Sequence, residues 1–395
     1  MKPLEKIKIL DLTRVLAGPF CTMILSDLGA EVIKVEVPGT GDDARSFGPF
    51  KNGQSLYFLS INREKKSISI NLKTEKGKEI FKELIKQFDV VIENFRPGTM
   101  EKLGLGYETL NQLNPKLIYA ASSGYGHSGP SSKKASYDIL AQAMGGIMSI
   151  TGWPDTPPTR VGMSLGDITA SLYAAIGILA ALQHRNNTGL GQKVDVAMLD
   201  CQVSILENAI TRYQVEGKSP QPLGNRHPTI APFQAFKASD SYFVVAAGND
   251  SLWKKLCEAI DRKDLLINEC FISNDLRTQN LASLVEELDK TFSTKSAAEW
   301  VEIIDNAGVP SGPINTIEKL FSEPQIISRN MFVDVEDKKA GTIKIAGNPI
   351  KMSSLKESET RNPAPEIGEH NFEVLSNMLG LSEDEVKELK DAGVL

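Results

Sequence analysis

Apolar and polar residues alternate along several short segments in the first half of the chain, and helical periodicities fill the gaps between them. Residues 6–12 alternate at period two, as in a strand, and further strands are predicted at residues 30–37, 67–72, 89–94 and 117–122. Helices are predicted from Pro19 to about Gly29 and from Thr74 to about Phe88. Strands that alternate with helices are typical of right-handed βαβ units, so we predict an α/β fold with a doubly wound parallel sheet.

The second half of the chain has a different pattern. Strongly apolar helices are predicted at about 167–185 and after residues 194–198, and residues 217–228 are dense in Pro and Gly, as in a linker. The segment 242–247 begins a smaller α+β unit. We therefore predict three parts: residues 1–216 begin a large domain, residues 217–322 form the small domain, and residues 323–395 return to the large domain.

Composition excludes several classes of partner. A chain of 395 residues with 41% hydrophobic residues is long enough for at least two cores, and its net charge of −6 argues against a nucleic-acid surface. The most apolar run, 168–182, is too short for a membrane span, and the N-terminus lacks the apolar stretch of a signal peptide. The four cysteines form no CxxC pair and the four histidines are scattered, so we expect a cytoplasmic protein with free thiols and no metal site.

Two motif-based hypotheses are weighed against the residues around them. A dinucleotide site needs glycines after the first strand, but residues 13–19 contain one glycine and end in Pro19, so NAD is disfavoured. Residues 162–166 match the GxSxG pattern of serine hydrolases around Ser164, yet the preceding prolines disfavour the strand that this motif requires. A hydrolase or thioesterase using Ser164, with Asp200 and His227 or His370, is kept as an alternative.

Asp167 precedes an apolar helix, where an aspartate is ordinarily an N-cap. The same place at a helix N-terminus also favours an ionised, nucleophilic carboxylate, and the two interpretations are compatible. Basic residues stand at the ends of predicted strands, where ligands bind in open α/β sheets, and together they predict a phosphate-binding rim. These residues are Arg14, Lys34, Lys73, Arg96 and Lys102.

Segments spread over nearly the whole chain resemble the class III CoA-transferases, the formyl-CoA, succinyl-CoA and carnitine CoA-transferase type. The segments are residues 10–19, 29–36, 62–68, 93–98, 123–126, 189–192 and 308–315. The resemblance implies a Rossmann-like large domain, a smaller domain and an interlocked homodimer. It also implies that Asp167 is the catalytic aspartate and that CoA, a substrate and not a tightly bound cofactor, contacts Leu16, Ala17, Ile70, Asn71, Leu72, Lys73, Asn94, Phe95, Arg96, Lys102, Tyr137 and Met198.

Departures from the family pattern refine this expectation. Val37 stands where some members have an arginine beside the nucleotide, which changes the adenine-side contacts, and Tyr137 stands where related racemases have a catalytic histidine, so racemisation is disfavoured. With a reference pKa of about 4, Asp167 is expected to be ionised near neutrality and to form a mixed anhydride with the acyl group. Residues 232–249 lack the glycine-rich loop of the oxalate-using members and resemble members that use succinyl-CoA with glutarate-like acids, while carnitine-type and aromatic acids are kept as alternatives. A non-catalytic acyl-CoA-binding protein is the remaining alternative.

Overall fold

The computed structural model describes residues 2–355 and 358–395. The chain divides into two compact units. Unit 1 comprises Met1–Ile147, Arg160–Thr211 and Pro324–Leu395, and unit 2 comprises Met148–Thr159 and Arg212–Glu323.

Unit 1 is built around a six-stranded sheet. The strands of the first half of the chain are β1 (Lys8–Asp11), β2 (Glu31–Glu36), β3 (Phe50–Lys51), β4 (Gln54–Ser55), β5 (Lys66–Ser69), β6 (Val90–Glu93), β7 (Ile118–Ser123) and β8 (Lys193–Ala197). The sheet has the order β5-β2-β1-β6-β7-β8 and every pairing in it is parallel, whereas β3 and β4 form a separate antiparallel hairpin. The predicted α/β class with a parallel sheet is confirmed.

Helices cover both faces of this sheet, because successive strand residues point to opposite faces. In β1, Ile9 packs in one apolar core and Leu10 in the other, and in β6 Val91 and Ile92 divide in the same way. The helices of this part of the chain are α1 (Ala17–Asp27), α2 (Leu56–Asn62), α3 (Glu75–Ile85), α4 (Thr99–Lys102), α5 (Tyr107–Leu113), α6 (Asp138–Met144), α7 (Ile147–Ile150), α8 (Leu165–Thr188), α9 (Met198–Ser204) and α10 (Ala209–Glu216), of which α7 and α10 lie largely in unit 2.

The longest of these helices, α8, is long and apolar enough to cross a membrane by length and composition alone. Ala174 and Ile178 on one of its faces are buried with Ile9 in the core of unit 1, as in a helix that packs against a sheet. Leu172 and Ile176 are exposed, with 45% and 61% of their surface accessible. One face of α8 therefore belongs to the core, and another presents apolar side chains at the surface.

Unit 2 has its own sheet and its own aromatic core. Strands β9 (Phe233–Lys237), β10 (Tyr242–Ala246) and β11 (Ser311–Pro313) form an antiparallel sheet in the order β11-β10-β9. Its helices are α11 (Asp250–Ala259), α12 (Asn274–Gln279), α13 (Leu281–Phe292), α14 (Ala297–Asn306) and α15 (Ile317–Leu320). The ring of Phe292 lies 5.1 Å from those of Phe236 and Phe243 and 5.4 Å from that of Trp300, which centres the core on one side chain.

The last segment of the chain completes unit 1. It contains α16 (Pro324–Ser328), β12 (Phe332–Asp337), β13 (Gly341–Ala346), β14 (Thr360–Arg361), α17 (Asn371–Leu379) and α18 (Glu383–Asp391). Leu375 of α17 and the terminal Leu395 are buried in the same apolar core as Leu10 of β1 and Phe81 of α3. The central sheet therefore depends on residues from both ends of the chain.

Candidate active site

A cleft of about 200 Å³ opens in unit 1 where strands β1, β6 and β7 end. The carboxyl ends of parallel strands meet at this edge, which is where ligands bind in open α/β sheets. The cleft is lined by Arg14, Val15, Leu16, Ala17, Asp43, Asn94, Phe95, Arg96, Pro97, Ser122, Ser123, Gly124, Lys134, Ala135, Ser136, Tyr137, Asp167 and Met198. A larger cavity of about 540 Å³, lined by Asp27, Arg361 and others, does not include Asp167.

Asp167 lies in the first turn of α8, three residues after the N-cap. The N-cap is Ser164, so the interpretation of Asp167 as an N-cap residue is wrong. The amide groups of a first helical turn have no partner within the helix, and they favour negative charge nearby. The helix therefore places the Asp167 carboxyl in the cleft at its positive end.

The ionisation of Asp167 differs from the sequence-based expectation. Burial and, second to it, the charge of Asp138 raise the pKa of Asp167 to about 7. The expected pKa of about 4 is therefore wrong, because it took no account of burial, the larger cause, or of the carboxylate of Asp138. A carboxylate with a raised pKa is a stronger base and a stronger nucleophile once it is ionised.

Asp138, the first residue of α6, is held by three donors. Its Oδ1 accepts the Gly166 amide at 2.7 Å, and its Oδ2 accepts from Gln142 Nε2 at 2.9 Å and from Arg160 Nη2 at 3.3 Å. These contacts hold the Asp138 carboxylate against the amide of Gly166, the residue that directly precedes Asp167. Gly166 favours this approach, because a Cβ at that position would make a tight contact of 3.0 Å with Oδ1 of Asp138.

Tyr57 of α2 is a further neighbour of Asp167 that the sequence did not indicate. Burial, followed by the charge of Asp167, raises the pKa of Tyr57 to about 12. The phenol therefore stays protonated at neutral pH and can only donate or accept a hydrogen bond as a neutral group.

The segment Arg14–Ala17 forms one wall of the cleft and is held from two sides. Asn94 Oδ1 accepts the Arg14 amide at 2.9 Å, while Asn94 Nδ2 donates to the Arg14 carbonyl at 2.7 Å. Val15 has a φ of 67°, an unusual backbone conformation for a β-branched residue, and its amide donates to Asp42 Oδ1 at 3.0 Å. The hydrogen bonds with Asn94 and Asp42 therefore hold this strained turn in place.

Buried charges fix the position of that wall. Lys34 Nζ lies 2.8 Å from Asp42 Oδ2 and donates to the Thr13 carbonyl at 2.6 Å. Lys34 is fully buried, so its prediction as part of an exposed phosphate-binding rim is wrong. The Lys34 side chain points from β2 into the interior, and its ion pair with Asp42 takes the place of the water that solvates an exposed lysine.

The structure brings together part of the predicted ligand set. The predicted residues that line the cleft with Asp167 are Leu16, Ala17, Asn94, Phe95, Arg96, Tyr137 and Met198. The other predicted residues do not line it: Ile70 is buried, and Asn71 donates its amide to the Val394 carbonyl after β5, which is an edge strand. Lys73 and Lys102 are exposed outside the cleft, and Leu72 is partly buried.

Three cations line the cleft, which suits a phosphorylated ligand. Arg14 and Arg96 were among the predicted rim residues, whereas Lys134 was not predicted. Lys134 lies in the loop between β7 and α6, and its spacing from any strand gave no signal of its role. Among residues 2–355 and 358–395, no cluster of His, Cys, Asp and Glu side chains suits a metal ion.

The GxSxG match lacks the geometry of a nucleophile elbow. Within the described part of the chain, residues 151–164 form turns and extended coil without a strand, and Ser164 begins α8. His370 Nδ1 accepts the Ser67 amide at 3.2 Å, beside β5 at the opposite edge from β8. The backbone around Ser164 therefore does not have the strand–turn–helix form that exposes a hydrolase serine.

Comparison with known proteins gives consistent similarities over nearly the whole chain. A family model described as CoA-transferase family III matches residues 4–371. The chain is 45% identical over 368 residues to the acetyl-CoA:oxalate CoA-transferase of Acetobacter aceti, with 93% of each chain covered. It is 42% identical over 396 residues to the succinyl-CoA:glutarate CoA-transferase of Homo sapiens, covering 100% of this chain and 90% of the relative. A solved CAIB/BAIF family protein from Brucella suis is similar with a TM-score of 0.84 and 39% identity, over 95% of this chain and 99% of that one.

Proposed function

This chain belongs to CoA-transferase family III and is an enzyme that moves CoA between an acyl-CoA and a carboxylic acid, and on this premise we propose that Asp167 carries the acyl group. The observation that carries this proposal is the position of Asp167 in a cleft lined by three cations, at the first turn of α8. The anionic phosphates of CoA then bind near Arg14, Arg96 and Lys134, and the thioester reaches the carboxylate.

The reaction proceeds by nucleophilic substitution at carbonyl carbon. The ionised Asp167 oxygen attacks the thioester carbonyl, the C–S bond breaks, and CoA leaves as a thiolate while a mixed anhydride forms on Asp167. The acceptor carboxylate attacks the Asp167 carbonyl carbon and displaces the first acid as its carboxylate. CoA thiolate then attacks the acceptor carbonyl of the new anhydride, which gives the product thioester and regenerates Asp167.

The site supplies three contributions to this chemistry. The pKa of Asp167, raised to about 7, gives a basic nucleophile that is substantially ionised at neutral pH. A fixed approach of reactants contributes roughly 7–11 kcal/mol in well-oriented systems. The half-buried position of Asp167 in the cleft also limits hydrolysis of the anhydride by water.

We propose a dicarboxylic acid as acceptor and succinyl-CoA as donor. The names of the two relatives above contain oxalate and glutarate, both dicarboxylates, and residues 232–249 resemble members that use glutarate-like acids. CoA enters as a substrate, without a tightly bound cofactor. A reducing, cytoplasmic location suits the free thiols of Cys21, Cys201 and Cys257, all of which are buried.

We also propose that the protein is a homodimer. The support is the apolar surface of α8 at Leu172 and Ile176, together with exposed Ile139 and Leu140 of α6. Burial of such side chains against a second copy is favourable by about 25 cal/mol per Å². Light scattering should give twice the mass of one chain, and Ile176→Glu should shift the protein towards the monomer.

The test of function combines succinyl-CoA with a panel of mono- and dicarboxylic acids that includes oxalate and glutarate, with mass spectrometry of all acyl-CoA products. The unmodified enzyme should form a new thioester, and Asp167→Asn should form none while it still binds CoA. Exchange that survives in Asp167→Asn would overturn the assignment of the nucleophile. Labelling of Ser164 by a fluorophosphonate would instead favour the hydrolase alternative, and CoA binding without turnover would favour a binding protein.

A further inference from the structure

A second group of titratable side chains lies next to the turn Asn94–Phe95–Arg96, and the transfer chemistry does not use it. Its centre is Glu93, the last residue of β6, which is 2% exposed. The side chains around it are Tyr119 of β7, His127 in the loop that follows β7, and Lys193 of β8. A buried carboxylate at the end of a strand, one residue before a cleft wall, requires a structural reason.

Both carboxylate oxygens of Glu93 accept hydrogen bonds. Oε2 accepts the amide of Phe95 at 2.7 Å, and Oε1 accepts the hydroxyl of Tyr119 at 3.2 Å. An ionised carboxylate only accepts, whereas a protonated one must use one oxygen as a donor. The Phe95 amide can only donate, and the Tyr119 hydroxyl donates to Oε1 when Glu93 is ionised, so both hydrogen bonds are charge-assisted and weaken when Glu93 is protonated.

His127 adds a further group that favours the ionised form. Its Nδ1 lies 3.0 Å from Lys193 Nζ, and its main-chain amide donates to Asp195 Oδ2 at 2.9 Å. A lysine ammonium can only donate, so Nδ1 accepts and we assign the ring proton to Nε2. That buried Nε2 makes no hydrogen bond to the described residues and lies 3.6 Å from Glu93 Oε1, so its N–H faces the carboxylate at electrostatic range.

The turn held by Glu93 connects two walls of the cleft. Phe95 stands between Asn94 and Arg96, and all three residues line the cleft with Asp167. Asn94 in turn holds both backbone polar groups of Arg14. A change at the Phe95 amide is therefore transmitted to the segment that leads into α1.

We propose that Glu93 is a positioning residue for acyl-CoA binding: its ionised carboxylate holds the turn at Phe95, and protonation of Glu93 releases that turn and weakens binding. This inference rests on the proposed function of the cleft as the CoA site. It concerns affinity, whereas the bond-forming steps depend on Asp167.

The sign and range of the pH effect follow from the groups that face Glu93. Burial raises the pKa of Glu93 to about 7, the Phe95 amide and the Tyr119 hydroxyl lower it, the charge of Glu101 in α4 raises it, and Lys193 lowers it. Burial, followed by the charge of Lys193, lowers the pKa of His127, while Asp195 and Glu101 raise it by less. Glu93 is therefore the group of this cluster whose ionisation changes near neutrality. With a protonated form that binds CoA about tenfold more weakly than the ionised form, an ionised fraction of about nine-tenths at pH 8 and about one-tenth at pH 6 should raise the Kd for CoA about fivefold.

The experiment measures CoA binding by calorimetry between pH 6 and pH 8 in the Asp167→Asn enzyme, which removes the titration of Asp167. Addition of Glu93→Gln, an isosteric neutral change that imitates the protonated form, should weaken binding about ninefold at pH 8 and by only about twofold at pH 6. The ionisation of CoA itself is common to both proteins and cancels in the ratio of their Kd values. Glu108→Gln, an exposed charge change in α5, is the matched control and should give a ratio near one at every pH.

Two further variants keep the proposal testable if Glu93→Gln does not fold. Tyr119→Phe removes a donor to Glu93 and should move the midpoint of the Kd profile to higher pH, whereas Glu101→Gln should move it to lower pH. A Kd ratio for Glu93→Gln that is constant with pH, or midpoints that do not shift in these directions, would overturn the proposal. Absence of CoA binding by Asp167→Asn at every pH would instead contradict the proposed function.

Discussion

The amide nitrogen of Gly166 lies 2.7 Å from Oδ1 of Asp138, so the residue directly before Asp167 is bonded to the carboxylate that raises the pKa of Asp167. One hydrogen bond thus links the position of the nucleophile to its ionisation. The geometry and the charge of Asp138 can be separated by substitution.

Asp138→Asn retains an oxygen that can accept the Gly166 amide but removes the charge. The pKa of Asp167 should fall, and the pH midpoint of kcat/KM for CoA transfer should move below about 7. Because burial is the larger cause of the raised pKa, the midpoint should stay above the ordinary aspartate value of 3.8. Asp43→Asn, which removes another carboxylate of the cleft, is the control, and an equal shift in both variants would contradict a specific effect of Asp138.

Asp167→Asn should stabilise the folded protein at high pH. The native Asp167 has a raised pKa, so it binds a proton between about pH 4 and pH 7 that the unfolded chain has released, and native stability is lost as pH rises through this range. The variant lacks this loss, and its gain in the free energy of unfolding should be about 2–3 kcal/mol larger at pH 8 than at pH 5. Urea unfolding at both pH values measures it, with the exposed Asp391→Asn as a control that should show no such difference.

Gly166→Ala should impair both packing and activity. The added Cβ would lie 3.0 Å from Asp138 Oδ1 and 3.2 Å from Ala141 Cβ, so these neighbours on α6 have to move by a few tenths of an ångström. We expect a loss of about 1–3 kcal/mol in the free energy of unfolding and a reduced kcat. Gly162→Ala, where the added Cβ meets nothing within 4 Å, should change neither quantity appreciably.

Gly191→Ala tests whether Gly191, in the segment 189–192 that resembles the family, is needed for backbone packing. A Cβ at this position would lie 2.0 Å from the Leu117 carbonyl oxygen, a backbone atom at the start of β7 that cannot move aside. The cost should reach about 3 kcal/mol or more in thermal or urea unfolding. Gly248→Ala, with open space around the added Cβ, is the matched control, and equal effects of the two changes would contradict this explanation.

The sequence predicted the parallel sheet because short apolar strands and amphipathic helices are local patterns. Thr74, for example, precedes α3 and accepts the Gly77 amide, a cap that the residue type alone indicates. The sequence predicted that α8 begins at about Asp167, which lies three residues after the observed N-cap, Ser164. The raised pKa of Asp167 could not be predicted, because Asp138 reaches this residue only through the packing of α6 against α8.

The burial of Lys34 also could not be predicted from the sequence. A lysine in an alternating strand is ordinarily solvated, and only the fold reveals that Asp42, eight positions later, meets it in the interior. Glu93 was visible in the sequence as part of the segment 93–98, but its partners Tyr119, His127 and Lys193 come from distant positions along the chain. The burial of Lys34 and the partners of Glu93 could not be predicted from residue type, because both depend on contacts that form only in the folded chain.

The division of unit 1 between the two ends of the chain has a consequence for biosynthesis. When residue 211 leaves the ribosome, Leu10 and Phe81 still lack Leu375 and Leu395, which complete their core. At about 5–20 residues per second, the remaining residues take roughly ten to forty seconds to synthesise. During that interval one face of the sheet lacks the cover that α17 and α18 supply, and exposed apolar surface of this kind favours aggregation until translation reaches those helices.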